Sequence, residues 1–211
     1  MALKSLSPLI LTALCLALPG LALPGLALPA AAQTDTAPLV ELRTSAGGVR
    51  IELAPAKAPQ TVANFLGLVD SGFYQGLQFH RVVAGFVAQG GGFDAQRNPR
   101  EPGTTVVNES VGGLGNQRGT IAMARRQDPD SAGSQFYFNL TDNAFLDAKG
   151  QQPGYTVFGR VVEGMDVVDR IGAAEITNAG GAFAQVPREP ILILQARRVE
   201  AGGDRTQRQP Q

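Results

Sequence analysis

The sequence predicts a mainly β domain, an antiparallel sheet closed into a barrel and accompanied by two α-helices. Three observations predict it. Short segments alternate apolar with charged or polar residues, the period of a half-buried strand. Glycine-rich turns separate them, with 26 glycines in 211 residues. Helical spacing occurs in only two segments, too few for a parallel βαβ architecture.

Taken in order, Val40 to Arg43 and Val49 to Leu53 alternate as two strands, with Ala46-Gly47-Gly48 as the hairpin turn. Ala58-Pro59-Gln60-Thr61 opens a helix, because proline in the first turn has no N–H to lose. Val62, Phe65, Leu66 and Val69 give that helix one apolar face, and Asp70-Ser71-Gly72 ends it. Leu77 to Val82 and Phe86 to Gly90 read as strand, turn, strand. Gly91 to Gly119 is rich in Gly, Asn and Arg and reads as a long surface excursion. Thr120 to Ala124 and Gln135 to Leu140 are two more strands around the polar loop Arg125 to Ser134. Tyr155 to Val161 is another strand. Met165 to Ile171 is a short second helix with Met165, Val168 and Ile171 on one face. Ile191 to Leu194 begins the last strand.

The flanks are of a different kind. Lys4 precedes an apolar run from Leu9 to Leu18, shorter than the about 20 residues needed to span a bilayer. The run fits the core of a secretory signal. Repeats of LALPG follow, and Pro19, Pro24 and Pro29 interrupt any single long helix. Small residues at Ala30 and Ala32 place the expected cleavage before Gln33. The expected organisation is therefore a signal peptide over 1–32, a linker over 33–38, a single domain over 39–200 and a disordered polar tail over 201–211. The one cysteine, Cys15, falls in the leader, so the mature domain has neither a disulfide nor a thiol nucleophile. The formal net charge is zero and no basic block stands out, which argues against nucleic acid as a partner.

The stretch FHRVVAGFVAQGGGF, Phe79 to Phe93, holds the only histidine, His80, with Arg81 directly after it. A Ser-His-Asp hydrolase would need His80 as its base, but no G-x-S-x-G elbow is present. One histidine and no mature cysteine make a metal site unsupported. Gln89-Gly90-Gly91-Gly92 follows a strand, lacks Lys-Ser/Thr and opens no helix, so it is no phosphate cradle; glycines there permit a bulge or close backbone approach. Strand alternation puts Phe79 and Arg81 on one face and His80 on the other. With Phe86 and Gln89 on the adjoining strand, the stretch offers an arginine, an amide and aromatics to one side of a sheet.

From about Val40 to Val199 the chain resembles the cyclophilin-type peptidyl-prolyl isomerases, most of all their compact bacterial secreted members. The stretches that carry the likeness are Phe79-His80-Arg81, Gly85 to Gly91, Arg118 to Ala124, Gly133 to Tyr137, Phe145-Leu146-Asp147 and Val157 to Met165. The resemblance implies an eight-stranded antiparallel barrel with a helix over each end, and isomerisation of X–Pro bonds without a cofactor. It implies that Arg81 is the catalytic arginine, and that Phe86, Met123, Tyr137, Phe145 and Leu146 form the proline pocket. Gln89 and Gln135 would hold substrate backbone, Ala124 and the main chain of Arg125 would line the peptide groove, and Tyr155 would close one side. His80 would pack or hydrogen-bond behind the sheet. Two departures stand out. Tyr137 replaces the phenylalanine of the best-known members, and a buried hydroxyl needs a partner. Phe145 replaces a tryptophan common in eukaryotic members, so cyclosporin-like macrocycles lose an indole N–H donor. The expected partners are proline-containing unfolded or exported polypeptides, met by a monomer with no stable membrane span after signal removal, in a bacterial periplasm. The competing reading is a chaperone module that binds proline peptides with little or no turnover.

Overall fold

The computed structural model describes residues 37–200; the expected signal peptide, the first part of the linker and the polar tail lie outside the described residues. The first hairpin pairs β1 (Leu39–Thr44) with β2 (Gly47–Leu53), turning at Ser45-Ala46. Alternation buries Val40 and Leu42 from β1 and Val49, Ile51 and Leu53 from β2. Helix α1 (Pro59–Asp70) follows, with Thr61, Val62, Phe65, Leu66 and Val69 on its buried face. Then come β3 (Leu77–Val83), β4 (Val87–Asp94), β5 (Thr120–Met123), β6 (Phe136–Asn139) and β7 (Val157–Glu163). Helix α2 (Met165–Gly172) buries Val167, Val168 and Ile171. A two-stranded ribbon of β8 (Ile176–Thr177) and β9 (Val186–Pro187), which alternation did not announce, precedes β10 (Ile193–Val199).

Eight strands form one antiparallel sheet in the order β10-β1-β2-β7-β5-β6-β4-β3. The sheet curls so that β3 and the segment entering β10 approach each other. They are joined by a single bridge, Gln78 to Leu192, with backbone bonds from Gly76 N–H to Ile193 and Phe79 N–H to Ile191. The expected closed barrel is thus a curled sheet with a short seam and no continuous eighth ladder. The physical reason lies on β3, whose edge is shared: the Val82 N–H donates to Gln185, just before β9.

The interior is aromatic. Phe136 meets Phe65, Tyr74, Phe79 and Phe138 at ring separations of 5.6–6.1 Å, edge to face in each case. Both helices bury their apolar faces in this same core.

The long segment after β4 is irregular as expected, yet it is tied down. Helix α1 has no side-chain cap of its own. The Glu109 carboxylate supplies one, accepting from the N–H groups of Gln60 and Thr61 at 3.1 and 2.8 Å and from the Thr61 hydroxyl at 2.7 Å. A negative group at a helix N-terminus also complements the helix dipole. Ser110 and Asn116, in the same segment, are buried.

Candidate active site

Strand register assembles the site. Arg81 on β3 pairs with Gln89 on β4, Gln89 with Tyr137 on β6, Tyr137 with Ala122 on β5, and Ala122 with Val157 on β7. One cross-strand row therefore places an arginine, an amide, a phenol and two small apolar side chains next to each other. The neighbouring row, Ala88, Phe138 and Ile121, belongs to the core.

Arg81 reaches this row because of a β-bulge. The register slips between Phe79, opposite Gly90, and Arg81, opposite Gln89, so two residues of β3 answer one of β4. The bulge breaks the expected alternation. Phe79 turns inward onto Phe136 and Phe138, and Arg81 joins the outer row. The expectation that Phe79 and Arg81 share a face is corrected accordingly. A second slip, between Leu77 and Phe79, is accommodated by the glycines of β4, where Gly91 takes φ +84°. A Cβ on Gly91 would lie 2.9 Å from the Ser134 carbonyl oxygen. The glycine run serves strand geometry.

Polar groups in the row are linked. The Arg81 Nη1 donates to Gln89 Oε1 at 3.3 Å, and Gln89 Nε2 donates to Gln135 Oε1 at 3.0 Å. The Arg81 guanidinium sits 5.9 Å from the Phe86 ring centre, and Phe86 stacks on Phe145 at 5.5 Å and 22°. Phe145 is 64% exposed, the wettest of the aromatic candidates. Beside Arg81 lies an apolar basin of Val87, Ala122, Tyr137 and Val157, walled by Phe86, Ala124, Leu146 and Tyr155. Tyr155 meets Tyr137 edge to face at 6.0 Å.

Of the residues predicted from sequence, Phe86, Tyr137, Leu146, Ala124 and Tyr155 come together around the basin, with Arg81, Gln89 and Phe145 at its rim. Met123 does not join them. It pairs with Phe136, is 1% exposed and packs in the core, because alternation on β5 sends Ala122 outward and Met123 inward. Val87, Ala122 and Val157 take the apolar places, and only register distinguishes them from ordinary core residues. Gln135 and Arg125 border an adjoining cavity of about 470 Å³, which Gln89 and Ala124 also line. The Arg125 side chain packs 4.7 Å over Tyr155 and donates from Nε to the Gly154 carbonyl at 3.0 Å, pinning the basin wall.

Tyr137 is 3% exposed, and its hydroxyl donates to Asn116 Oδ1 at 2.7 Å. Burial raises its pKa far above the ordinary phenol value, with Tyr155 and Asp147 adding to the effect. His80 is 2% exposed, with its ring edge on Phe93 at 4.8 Å and Nδ1 without a partner. Burial brings its pKa down to about 4; the Gln78 backbone opposes this, and the smaller effects of Arg81, which lowers it, and Gln135, which raises it, follow. A weakly basic imidazole enclosed among aromatic rings is no general base for this row. Among the described residues no group of three or more His, Cys, Asp or Glu is placed to hold a metal ion, and no helix is long and apolar enough to cross a membrane.

Residues 39–198 match the family described as cyclophilin type peptidyl-prolyl cis-trans isomerase/CLD. Peptidyl-prolyl cis-trans isomerase A of Dickeya dadantii is 48% identical over 158 residues, which cover 75% of this chain and 83% of that protein. Peptidyl-prolyl cis-trans isomerase B of Escherichia coli is 44% identical, with 74% of this chain and 96% of that protein covered. Among solved structures, a cyclophilin type isomerase of Cryptosporidium parvum superposes with a TM-score of 0.65 at 23% identity, covering 78% of this chain and 98% of that one. A cyclophilin from Hirschia baltica gives 0.60 at 27% identity, covering 77% and 74%. With its curled eight-stranded sheet, two helices and this sequence match, the chain belongs to the cyclophilin-type peptidyl-prolyl cis-trans isomerases.

Proposed function

We propose that the chain speeds X–Pro isomerisation in exported polypeptides as they fold, with Arg81 as the catalytic residue. The observation that carries this is the Arg81 guanidinium, anchored by Gln89 at the rim of an apolar basin. An X–Pro amide resists rotation because its nitrogen lone pair is shared with the carbonyl, a barrier of about 18–20 kcal/mol. At mid-rotation the nitrogen recovers that pair and becomes a hydrogen-bond acceptor. A guanidinium, always protonated, donates to it then and has almost nothing to bind in either planar form. The interaction is selective for the transition state, which is what lowers a barrier. A ~1000-fold acceleration needs about 4 kcal/mol, within reach of one charge-assisted bond at a dry site.

The remaining roles follow from placement. The basin of Val87, Ala122, Tyr137 and Val157, with Phe86, Leu146 and Tyr155, holds the proline ring, and Phe145 extends it over Phe86. Gln89 and Gln135 position the acyl side, and Ala124 and Arg125 border the path of the peptide. No side chain changes protonation in this scheme. The leader over 1–32 supports export to a bacterial periplasm, where the substrates are unfolded proline-containing polypeptides and the working unit is a monomer.

The test is exchange spectroscopy on a short Ala-Pro peptide. Arg81→Ala is expected to lose about three orders of magnitude in turnover, the contribution assigned above, while peptide affinity changes little. Unchanged turnover in Arg81→Ala overturns the mechanism. Peptide binding without rate enhancement by the unmodified protein supports a binding module instead. Export is tested by fractionating cells that express the full chain; retention of the uncleaved chain in the cytoplasm contradicts it.

A further inference from the structure

The basin floor carries a hydroxyl, and the structure fixes where its hydrogen points. The Asn116 backbone N–H donates to Asp147 Oδ1 at 2.7 Å, and its Nδ2 donates to the same oxygen at 2.9 Å. The amide nitrogen is thereby committed to the carboxylate side. Its Oδ1 faces the Tyr137 hydroxyl at 2.7 Å and Asn139 Nδ2 at 3.2 Å. An amide oxygen only accepts, so Tyr137 must donate to it. The chain continues without an orphan: Asn139 Nδ2 donates to the Thr120 hydroxyl, Asn143 Nδ2 to Asn139 Oδ1, and Asn143 Nδ2 to the Phe86 carbonyl. Asn116, Asn139 and Asn143 are all at most 2% exposed. A fully satisfied buried network of this kind holds one arrangement of donors.

We propose that Asn116 is a specificity-determining positioning residue, holding the Tyr137 hydroxyl hydrogen away from the basin so that the floor offers no donor. A floor without a donor accepts an apolar proline ring and leaves a ring hydroxyl unpaired. The residue thus sets discrimination against hydroxylated imino acids, a refinement that rests on the isomerase reading. It acts through Tyr137 and touches no substrate.

The experiment compares kcat/KM for two peptides that differ only in proline against 4-hydroxyproline. Asn116→Leu keeps the branched shape and the number of side-chain heavy atoms and removes the acceptor. The proline-to-hydroxyproline ratio is expected to fall about tenfold in Asn116→Leu, the scale of one buried hydrogen bond gained by the wrong ring. The same Asn116→Leu change made on a Tyr137→Phe background is expected to move the ratio less than about twofold, since no phenol remains to be released. A general loosening of the fold would lower activity on both peptides and in both backgrounds, leaving the ratio where it was. An unmoved ratio in Asn116→Leu, or an equal fall in both backgrounds, overturns the proposal. Proton NMR of the unmodified protein decides the matter even where a variant does not fold. The Tyr137 hydroxyl proton is expected to exchange slowly and to keep its contacts with Asn116 and the Asn139 amide when an Ala-Pro peptide saturates the site. Loss of those contacts on binding overturns the proposal. Failure of the unmodified protein to turn over either peptide counts against the isomerase reading alone, because the NMR result still reports on Asn116.

Discussion

Arg81 and His80 are neighbours in sequence with opposite environments. Arg81 is half-buried at the basin rim, whereas His80 is enclosed beside Phe93 with Nδ1 unpaired. With its pKa near 4, His80 is neutral throughout the physiological range. Turnover is therefore expected to stay flat between about pH 6 and 9, and a bell centred near the ordinary histidine value of about 6.5 would return His80 to the mechanism. Stability behaves differently. The unfolded chain binds a proton on His80 below 6.5, and the native protein does so only below about 4. Between these values acid favours the unfolded chain, so this contribution is complete above pH 6.5 and is lost as pH falls towards 4. The loss is on the order of 3 kcal/mol. Urea denaturation at pH 7 and pH 4 measures it, and His80→Gln is expected to narrow the difference between the two by a similar amount.

At the scale of elements, two segments depend on residues distant in sequence. Helix α1 begins with a proline and takes its cap from Glu109, 48 residues beyond Thr61. Glu109→Ala leaves the first N–H groups of the helix without their carboxylate and is expected to destabilise by about 1–2 kcal/mol, measured by urea denaturation. The glycine run of β4 has a second use at Gly92. A Cβ there would lie 2.6 Å from the Gln135 Cγ and 2.5 Å from its amide nitrogen. Gly92→Ala must push Gln135 aside and loosen its bond to Gln89. The expected result is a KM raised about three- to tenfold with a melting temperature within about 2 °C of wild type, the pattern of lost substrate positioning.

For the whole molecule, the aromatic core is the main store of stability. Phe136 is fully enclosed among four other rings, and Phe136→Ala is expected to lower the unfolding free energy by about 3–5 kcal/mol with an unchanged denaturant slope. Much of this architecture is legible in the sequence, because period-two alternation marks the strands and the Val62-Phe65-Leu66-Val69 spacing marks α1. The short ribbon of β8 and β9 escapes notice since two-residue strands carry no period. The site is legible in its residue types but not in its composition as a surface. Met123 and Ala122 are adjacent in sequence and equally apolar, and the pairing of Ala122 with Tyr137 is what selects Ala122 for the basin. Likewise Phe79 and Arg81 separate only because of a bulge, a tertiary event with no local signature beyond the glycines opposite. Asn116 lies in a stretch that reads as solvent-facing loop, and its role comes from Asp147 and Tyr137, which are distant in sequence.

The cross-strand row has a consequence for how such a protein diverges. Its apolar members Ala122, Tyr137 and Val157, with Val87 beside them, cluster apart from the inward aromatics that keep the chain folded. Lineages are thus able to retailor what the surface hollow grips by changing every other position of three or four strands, while the intervening positions go on anchoring the interior. Recognition and foldedness evolve on separate tracks laid along the same backbone.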